Sequence, residues 1–314
     1  MPGFRVIADG PLDDIVLGFA GPSIEFLPWD VALNGTSEPV DGIYTYGHPH
    51  LDGAMLDGIA GVRVISNYGV GVDHINVPDA VSRGIPVGNT PNILDGATAD
   101  AGFALLLAAA RRIVEGDRYA RSPEFLHYDP GFMLGREVHS TTLGIVGLGN
   151  IGRQVARRAL AFDMRVLYRN RSRNLAAEAE LGVEYATLDD LLRRSDFVIL
   201  SCPLTDETEH LIDAAALRKM KRTATLVNIA RGPVVHTQAL FEALRDGVIA
   251  SAGLDVTDPE PLPRDHPLLD LPNVTVLPHL GSATIETHRR MAEISITNLR
   301  LGLDGKPLLH QIGI

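Results

Sequence analysis

At 314 residues the chain is long enough for two domains, and its 45% apolar and 21% charged residues are the balance of a globular protein. A formal net charge of −11 argues against nucleic acid as the main partner, because binding a phosphate backbone needs a positive surface, yet a local arginine could still hold a small anion. No uncharged apolar run is long enough to span a membrane, the opening MPGFRVIADG lacks the basic and apolar stretches of a secretory leader, and the single cysteine, Cys202, excludes an intrachain disulfide and a cysteine metal cluster. A cytoplasmic protein without a bound metal is expected.

Along the chain, short apolar runs alternate with helical patterns, the signature of parallel sheets with crossover helices. Residues 4–8, 24–29, 43–46, 62–67 and 86–89 read as strands, separated by turn residues such as Gly69-Val70-Gly71 and Pro91-Asn92. His48-Pro49-His50 has metal-like spacing but no third ligand nearby, and reads as a loop. Residues 95–115 are rich in Ala and Leu and hold no proline, which predicts one long buried helix. Asp95 or Thr98 would cap it, and Arg111-Arg112 would sit favourably near its end. Such a helix suits a bridge between domains, and a second crossing helix is expected over 284–301. The domains would then be 1–94 with 285–314, and 95–284.

The segment 141–147 is a β-branched and apolar strand that runs into Gly147-Leu148-Gly149-Asn150-Ile151-Gly152, a G-x-G-x-x-G. A helical pattern follows, with Val155, Ala159 and Phe162 on one face and Arg153, Arg157 and Arg158 on a solvated one, and then a strand over 164–168. Gly147 permits a tight turn, Gly149 lets the backbone approach a pyrophosphate, and Gly152 lets helix and strand pack closely. The free N–H groups of the helix start suit phosphates. In this context the motif predicts a dinucleotide site. A carboxylate at the end of the second strand would bond the ribose 2′-OH of NAD. The sequence there is Arg169-Asn170-Arg171-Ser172-Arg173, with no acid. It therefore predicts NADP(H), with NAD(H) as the alternative, and the 2′-phosphate on Arg171 and Ser172 first, then Arg169 and Arg173.

Further strands read over 183–186, 196–203, 223–230, 249–256 and 273–280. Ligands bind at the carboxyl ends of parallel strands, which nominates Cys202-Pro203, Ile229-Ala230-Arg231, Asp255 and Pro278-His279. Reduction of a 2-oxo acid would need a cation for the carboxylate, an acid for the carbonyl oxygen and a group to tune that acid. Arg231 can hold a carboxylate bidentately, His279 can donate a proton near neutral pH, and Glu260, in the stiff turn Asp258-Pro259-Glu260-Pro261, can favour the imidazolium. Taken singly, each has a plainer reading as a salt-bridged arginine, a turn histidine or a solvated acid.

In order, Asn67-Tyr68-Gly69-Val70-Gly71-Val72-Asp73, the glycine motif, Asn228-Ile229-Ala230-Arg231-Gly232, Gly253-Leu254-Asp255-Val256 through Glu260-Pro261, and Pro278-His279-Leu280-Gly281-Ser282 resemble the D-isomer-specific 2-hydroxyacid dehydrogenases. The match runs from about Val64 onward and is most similar to the glyoxylate/hydroxypyruvate reductases, through 253–269 and 278–284. The resemblance implies an α/β fold of two doubly wound parallel sheets, a flavodoxin-like substrate domain and a Rossmann cofactor domain. It implies that Arg231, Glu260 and His279 are catalytic and that Val70 and Gly71 offer backbone N–H groups to the substrate carboxylate, with Ser282 also at the substrate. It places Asp255 on the carboxamide side of the nicotinamide, and Asn150, Ile151 and Gly281 along the cofactor. It implies a homodimer formed through the cofactor domains. In such reductases an aromatic, commonly Trp, reaches the partner's site from the loop after the long helix; the matching position here is Tyr128. A phosphoglycerate-type dehydrogenase is the enzyme alternative, disfavoured by the lack of a regulatory domain, and a nucleotide-sensing corepressor is the non-enzyme one.

Overall fold

The computed structural model describes residues 3–33, 39–47 and 49–313; His48 lies outside them. The chain divides into two compact units, Met1–Leu94 with Thr284–Ile314, and Asp95–Ala283.

In the first unit the strands β1 (Phe4–Ala8), β2 (Ile24–Pro28), β3 (Gly42–Thr45), β4 (Ile65–Asn67) and β5 (Val87–Gly88) are parallel and lie in the order 2-1-3-4-5. This is the flavodoxin-like winding. The terminal strand Gln311–Ile312 closes the β5 edge antiparallel. Side chains alternate across the sheet, so Ile7, Ile43, Ile65 and Val87 fill one layer, while Val6, Tyr44 and Val64 fill the other. That second layer is completed by Ala292, Ile296, Leu299 and Leu303 of the helix Ile285–Leu303. The end of the chain is thus core to the domain that its beginning builds. Buried polar groups fix the register. Ser66 Oγ donates to the Ser295 carbonyl at 2.7 Å, and Asn298 donates to Asn89 O at 3.0 Å while accepting from His310 N at 3.0 Å.

The second unit is a seven-stranded parallel sheet, formed by β6 (Thr142–Val146), β7 (Arg165–Arg169), β8 (Glu184–Tyr185), β9 (Phe197–Leu200), β10 (Thr225–Asn228), β11 (Ser251–Leu254) and β12 (Val274–Val276). Their order is 12-11-10-9-6-7-8. Counted from β6 this is the dinucleotide-binding order 3-2-1-4-5-6 with one more strand added at the far edge. Apolar residues pack in separate clusters, one with Leu226, Leu240 and Leu244, the other with Leu106, Ile145 and Tyr168.

The expected single helix over 95–115 is two helices, Asp95–Ala110 and Ile113–Ala120. Nothing in the local propensities forbids continuation; the cause is tertiary. Arg136 N, on the returning chain, donates to the Ala110 carbonyl at 2.8 Å, and Arg112 takes a left-handed backbone (φ 52°) while its guanidinium grips Glu115 at 2.8 and 2.7 Å. Thr98 is buried within the first turn of the first helix, not a cap. Nor is the arginine face of the helix Asn150–Ala161 merely solvated: Arg153 and Arg157 pair with Glu180, and Arg158 reaches Asp100 at 2.7 Å. No helix among the described residues is long and apolar enough to cross a membrane.

The contact between the C-terminal helix and β4 can be tested at Gly302, where an added Cβ would stand 2.4 Å from Val64 Cγ2. Helix propensity alone favours alanine by about 1 kcal/mol. Overpacking of a closed core costs about 1–3 kcal/mol, so we expect Gly302→Ala to lower stability in urea titration. A stabilised variant would show that the helix can shift away from Val64.

Candidate active site

The nucleotide turn follows from three glycines with three different surroundings. Gly147 has φ 100°, and a Cβ there would meet Cys202 N at 2.5 Å. A Cβ on Gly152 would meet the Gly147 carbonyl at 2.2 Å. Around Gly149 there is nothing within 4 Å of such a Cβ, so space is open in front of the first N–H groups of the helix that starts at Asn150. Two residues wedge the turn against the sheet, one of them, Ser201, carrying no sequence signal: its hydroxyl donates to Gly147 O at 2.8 Å, and Leu148 N donates to Asn170 Oδ1 at 2.6 Å. Asn150 bonds Asp95, and Ile151 packs against the buried apolar cluster. Cys202 is buried, which pushes its thiol up to about 11, and it meets the turn through its backbone. An open cradle of backbone N–H groups at a helix start fits a pyrophosphate.

The basic loop after β7 is less free than its composition suggests. Arg169 turns inward, donating to Tyr185 Oη at 2.7 Å and to the Asn170 carbonyl. Arg173 is held bidentately by Glu178, at 2.7 and 2.6 Å. Arg171 and Ser172 are exposed, as is Arg173, and Glu207 lies 3.9 Å from Arg171.

At the carboxyl edge of β10, buried Asn228 clamps the next turn: it donates to Arg231 O at 2.9 Å and accepts from Ala230 N at 3.0 Å. Ile229 and Ala230 are buried beneath it. Gly232 passes so close to the segment after β11 that a Cβ would lie 1.9 Å from Thr257 O. The Arg231 turn and the 258–261 turn are therefore pressed together. Within the latter, Glu260 Oε2 accepts from Thr257 N at 3.2 Å, and Oε1 pairs with His279 Nδ1 at 2.7 Å. His279 has a left-handed backbone (φ 57°), held by its own N–H on Asp255 O at 2.9 Å.

Asp255 is the buried carboxylate of this edge. Its oxygens accept from Leu280 N at 2.7 Å and Gly281 N at 2.8 Å. Both oxygens thus serve the turn that carries His279. Burial raises the Asp255 pKa against those hydrogen bonds. The Glu260 hydrogen bond holds the His279 pKa above the ordinary imidazole value, outweighing burial. Burial alone would raise Glu260, but the bond and charge of His279, with Thr257 N–H and the Arg231 charge, bring it below its usual value. Pro203 and half-buried Ser282 follow their strands at the same edge. Among the described residues no group of three or more His, Cys, Asp or Glu is arranged to hold a metal ion.

In the first unit, the loop after β4 is set by two buried asparagines. Asn67 donates to the carbonyls of Gly69 and Gly71 at 3.0 and 2.9 Å, and Asn89 donates to the Val70 carbonyl at 3.0 Å. A peptide N–H points opposite to the C=O of the same plane. Pulling the 69 and 70 carbonyls inward therefore turns the N–H groups of Val70 and Gly71 outward as a pair. Tyr128 is highly exposed, in a stretch with Phe125, Leu126, Phe132 and Leu134 also exposed.

Residues 103–281 match the sequence model of the D-isomer specific 2-hydroxyacid dehydrogenase, NAD binding domain. The glyoxylate reductase of Thermococcus kodakarensis is 48% identical, over 88% of this chain and 84% of that protein. The glyoxylate reductase of Korarchaeum cryptofilum is 52% identical, over 79% and 75%. Among solved structures, a protein from Thermus thermophilus superposes with a TM-score of 0.90 at 41% identity, covering 99% of this chain and 100% of the other. An NADPH-dependent glyoxylate/hydroxypyruvate reductase from Sinorhizobium meliloti, in complex with NADP and malonate, gives 0.89 at 30%, over 99% and 97%. With the paired His279 and Glu260 beside Arg231 at one sheet edge, and with these relatives over most of its length, the chain belongs to the D-isomer-specific 2-hydroxyacid dehydrogenase family.

Proposed function

We propose that this chain reduces glyoxylate and hydroxypyruvate to the 2-hydroxy acids glycolate and D-glycerate, using NADP(H) in preference to NAD(H). The observation that carries the reading is the 2.7 Å His279–Glu260 bond at the sheet edge that also presents Arg231. The relatives named as glyoxylate reductases support the substrate class. A bound nicotinamide dinucleotide supplies the hydride for the oxo carbon. Arg231 holds the substrate carboxylate bidentately, and the guanidinium also polarises the neighbouring carbonyl. With Nδ1 committed to Glu260, the proton for the oxo oxygen sits on His279 Nε2. Glu260 keeps the ring charged and fixes its plane, while Asp255 fixes the backbone from which it projects. Ser282 lies at the substrate, and Gly281 and the strand ends 202–203 and 229–231 line the cofactor. The missing acid after β7 and the exposed Arg171 and Ser172 support NADP(H). The exposed apolar stretch around Tyr128 supports a homodimer formed through the cofactor unit, with Tyr128 contributed to the partner's site. A single buried cysteine fits a cytoplasmic enzyme.

The direct test follows the loss of nicotinamide absorbance with NADPH and NADH on glyoxylate, hydroxypyruvate, pyruvate and 3-phosphohydroxypyruvate. Turnover of the first two with NADPH is the expected result; turnover of the phosphorylated acid alone would replace the substrate assignment. In the same assay His279→Ala should lose about 10² to 10⁴-fold in kcat while still binding NADPH. Full activity would remove His279 from the mechanism.

The pH dependence has a definite sign. Reduction needs protonated His279, whose pKa is raised, so kcat/KM for reduction should stay high past the ordinary imidazole value and fall only at higher pH. Oxidation of the hydroxy acid needs the neutral ring and should rise over the same range. Glu260→Gln removes the chief cause of the raised pKa and should move both limbs to lower pH; an unmoved limb would mean that another group titrates. For assembly, Leu126→Asp with Leu134→Asp should convert a dimer to a monomer in sedimentation analysis. A monomeric unmodified chain would dispose of the dimer.

A further inference from the structure

The stretch 169–173, running from the end of β7 towards the helix Leu175–Leu181, carries three arginines, but the residues around it assign them different tasks. Tyr168, fully buried near the end of β7, donates its hydroxyl to Glu178 Oε1 at 2.7 Å and accepts from Asn174 N at 2.7 Å. Glu178 stands in the first turn of that helix, which Asn174 caps through Ala177 N. Arg173 then closes on the same carboxylate with two bonds, at 2.7 and 2.6 Å. Two-pronged guanidinium–carboxylate pairing neutralises both groups and uses the donors that a phosphate would want. The Glu178 carboxyl is held below its usual range by this Arg173 bond first and the Tyr168 bond second. At the other end of the loop Arg169 is spent on Tyr185 and the Asn170 carbonyl, and the Asn170 side chain on Leu148 N. The Arg171 side chain remains 83% exposed, next to exposed Ser172.

We infer that the Tyr168–Glu178–Arg173 chain is a specificity-determining element that withholds Arg173 from the adenosine 2′-phosphate, leaving Arg171 and Ser172 to read it. This rests on the cofactor reading above. Its consequence is a graded preference: one exposed guanidinium, with Glu207 3.9 Å away, and one hydroxyl favour the 2′-phosphate, and residues 169–173 hold no carboxylate to repel it. The chain therefore takes NADPH first and keeps NADH as a working cofactor. Glu178 acts here through Arg173 and is a positioning residue.

The test is binding, read by calorimetry without turnover, with adenosine 2′,5′-bisphosphate and ADP as probes and NADPH and NADH beside them. Glu178→Gln keeps an acceptor for the Tyr168 hydroxyl but loses the charge that holds Arg173. The bisphosphate and NADPH should then bind roughly five- to tenfold tighter, with ADP and NADH little changed. Combining Glu178→Gln with Arg173→Ala should abolish that gain, and Arg171→Ala alone should weaken only the 2′-phosphorylated ligands. Unchanged affinity in Glu178→Gln would overturn the inference, and so would a gain that survives loss of Arg173. If the unmodified chain binds NADH well and distinguishes the 2′-phosphate not at all, the NADP(H) preference fails and this inference with it. If it binds no nucleotide, the cofactor reading itself has failed.

Discussion

The active edge of the cofactor unit depends on one buried carboxylate. Asp255 sits at the end of β11 with both oxygens on the backbone N–H groups of Leu280 and Gly281. Those two bonds bend the chain that leaves β12 back over its neighbour and hold His279 in a backbone conformation that non-glycine residues seldom adopt. A buried carboxylate without partners would cost several kcal/mol, so the turn and the aspartate require each other. Only with the turn so held does Nδ1 of His279 meet Glu260, whose own position comes from Thr257 and from the close passage of Gly232 beneath it.

The same device recurs with amides in place of a carboxylate. Asn228 fixes the turn that carries Arg231, and Asn67 with Asn89 fixes the loop whose Val70 and Gly71 N–H groups face outward. Each such bond contributes only about 1 kcal/mol to stability, but leaving a buried amide unsatisfied costs about 1–3 kcal/mol. The penalty makes each loop adopt one orientation. The preorganised groups in the proposed chemistry are therefore aimed by buried polar side chains bonded to the backbone of their own loops.

Charge in this protein is organised by pairing more than by composition. The net charge of −11 says little about the cofactor loop, where three arginines stand within five residues. Two of them are engaged by neighbours on β8 and the following helix. Likewise the arginines on the helix after the glycine turn are tied to Glu180 and Asp100. What a ligand meets is the remainder after these pairs have formed.

Much of the architecture and of the candidate site is legible in the residues themselves. Alternating apolar runs dictate parallel sheets, because a strand buried on both faces must be apolar along its length. The glycine motif dictates a turn that only residues without a Cβ can make, since the structure leaves 2.5 Å and 2.2 Å where side chains would begin at Gly147 and Gly152. Arg231, Glu260 and His279 could be nominated because loop residues at strand ends are where a parallel sheet binds ligands. Tertiary structure decided what depends on residues distant in the chain. The helix begun at Asp95 stops at Ala110 because Arg136, on the returning strand of chain, takes its carbonyl. Arg169 and Arg173 read alike with Arg171 in sequence, yet Tyr185 takes the donors of the first and Glu178 those of the second, which stays at the surface. Asp255 reads as a ligand contact in sequence; its role as a brace appears only in the fold, because its partners, Leu280 and Gly281, reach it only after the chain has crossed from β11 to β12 and turned back. Local pattern specifies elements and chemical types; the partner a polar group finds is set by which segments the fold brings within hydrogen-bond reach.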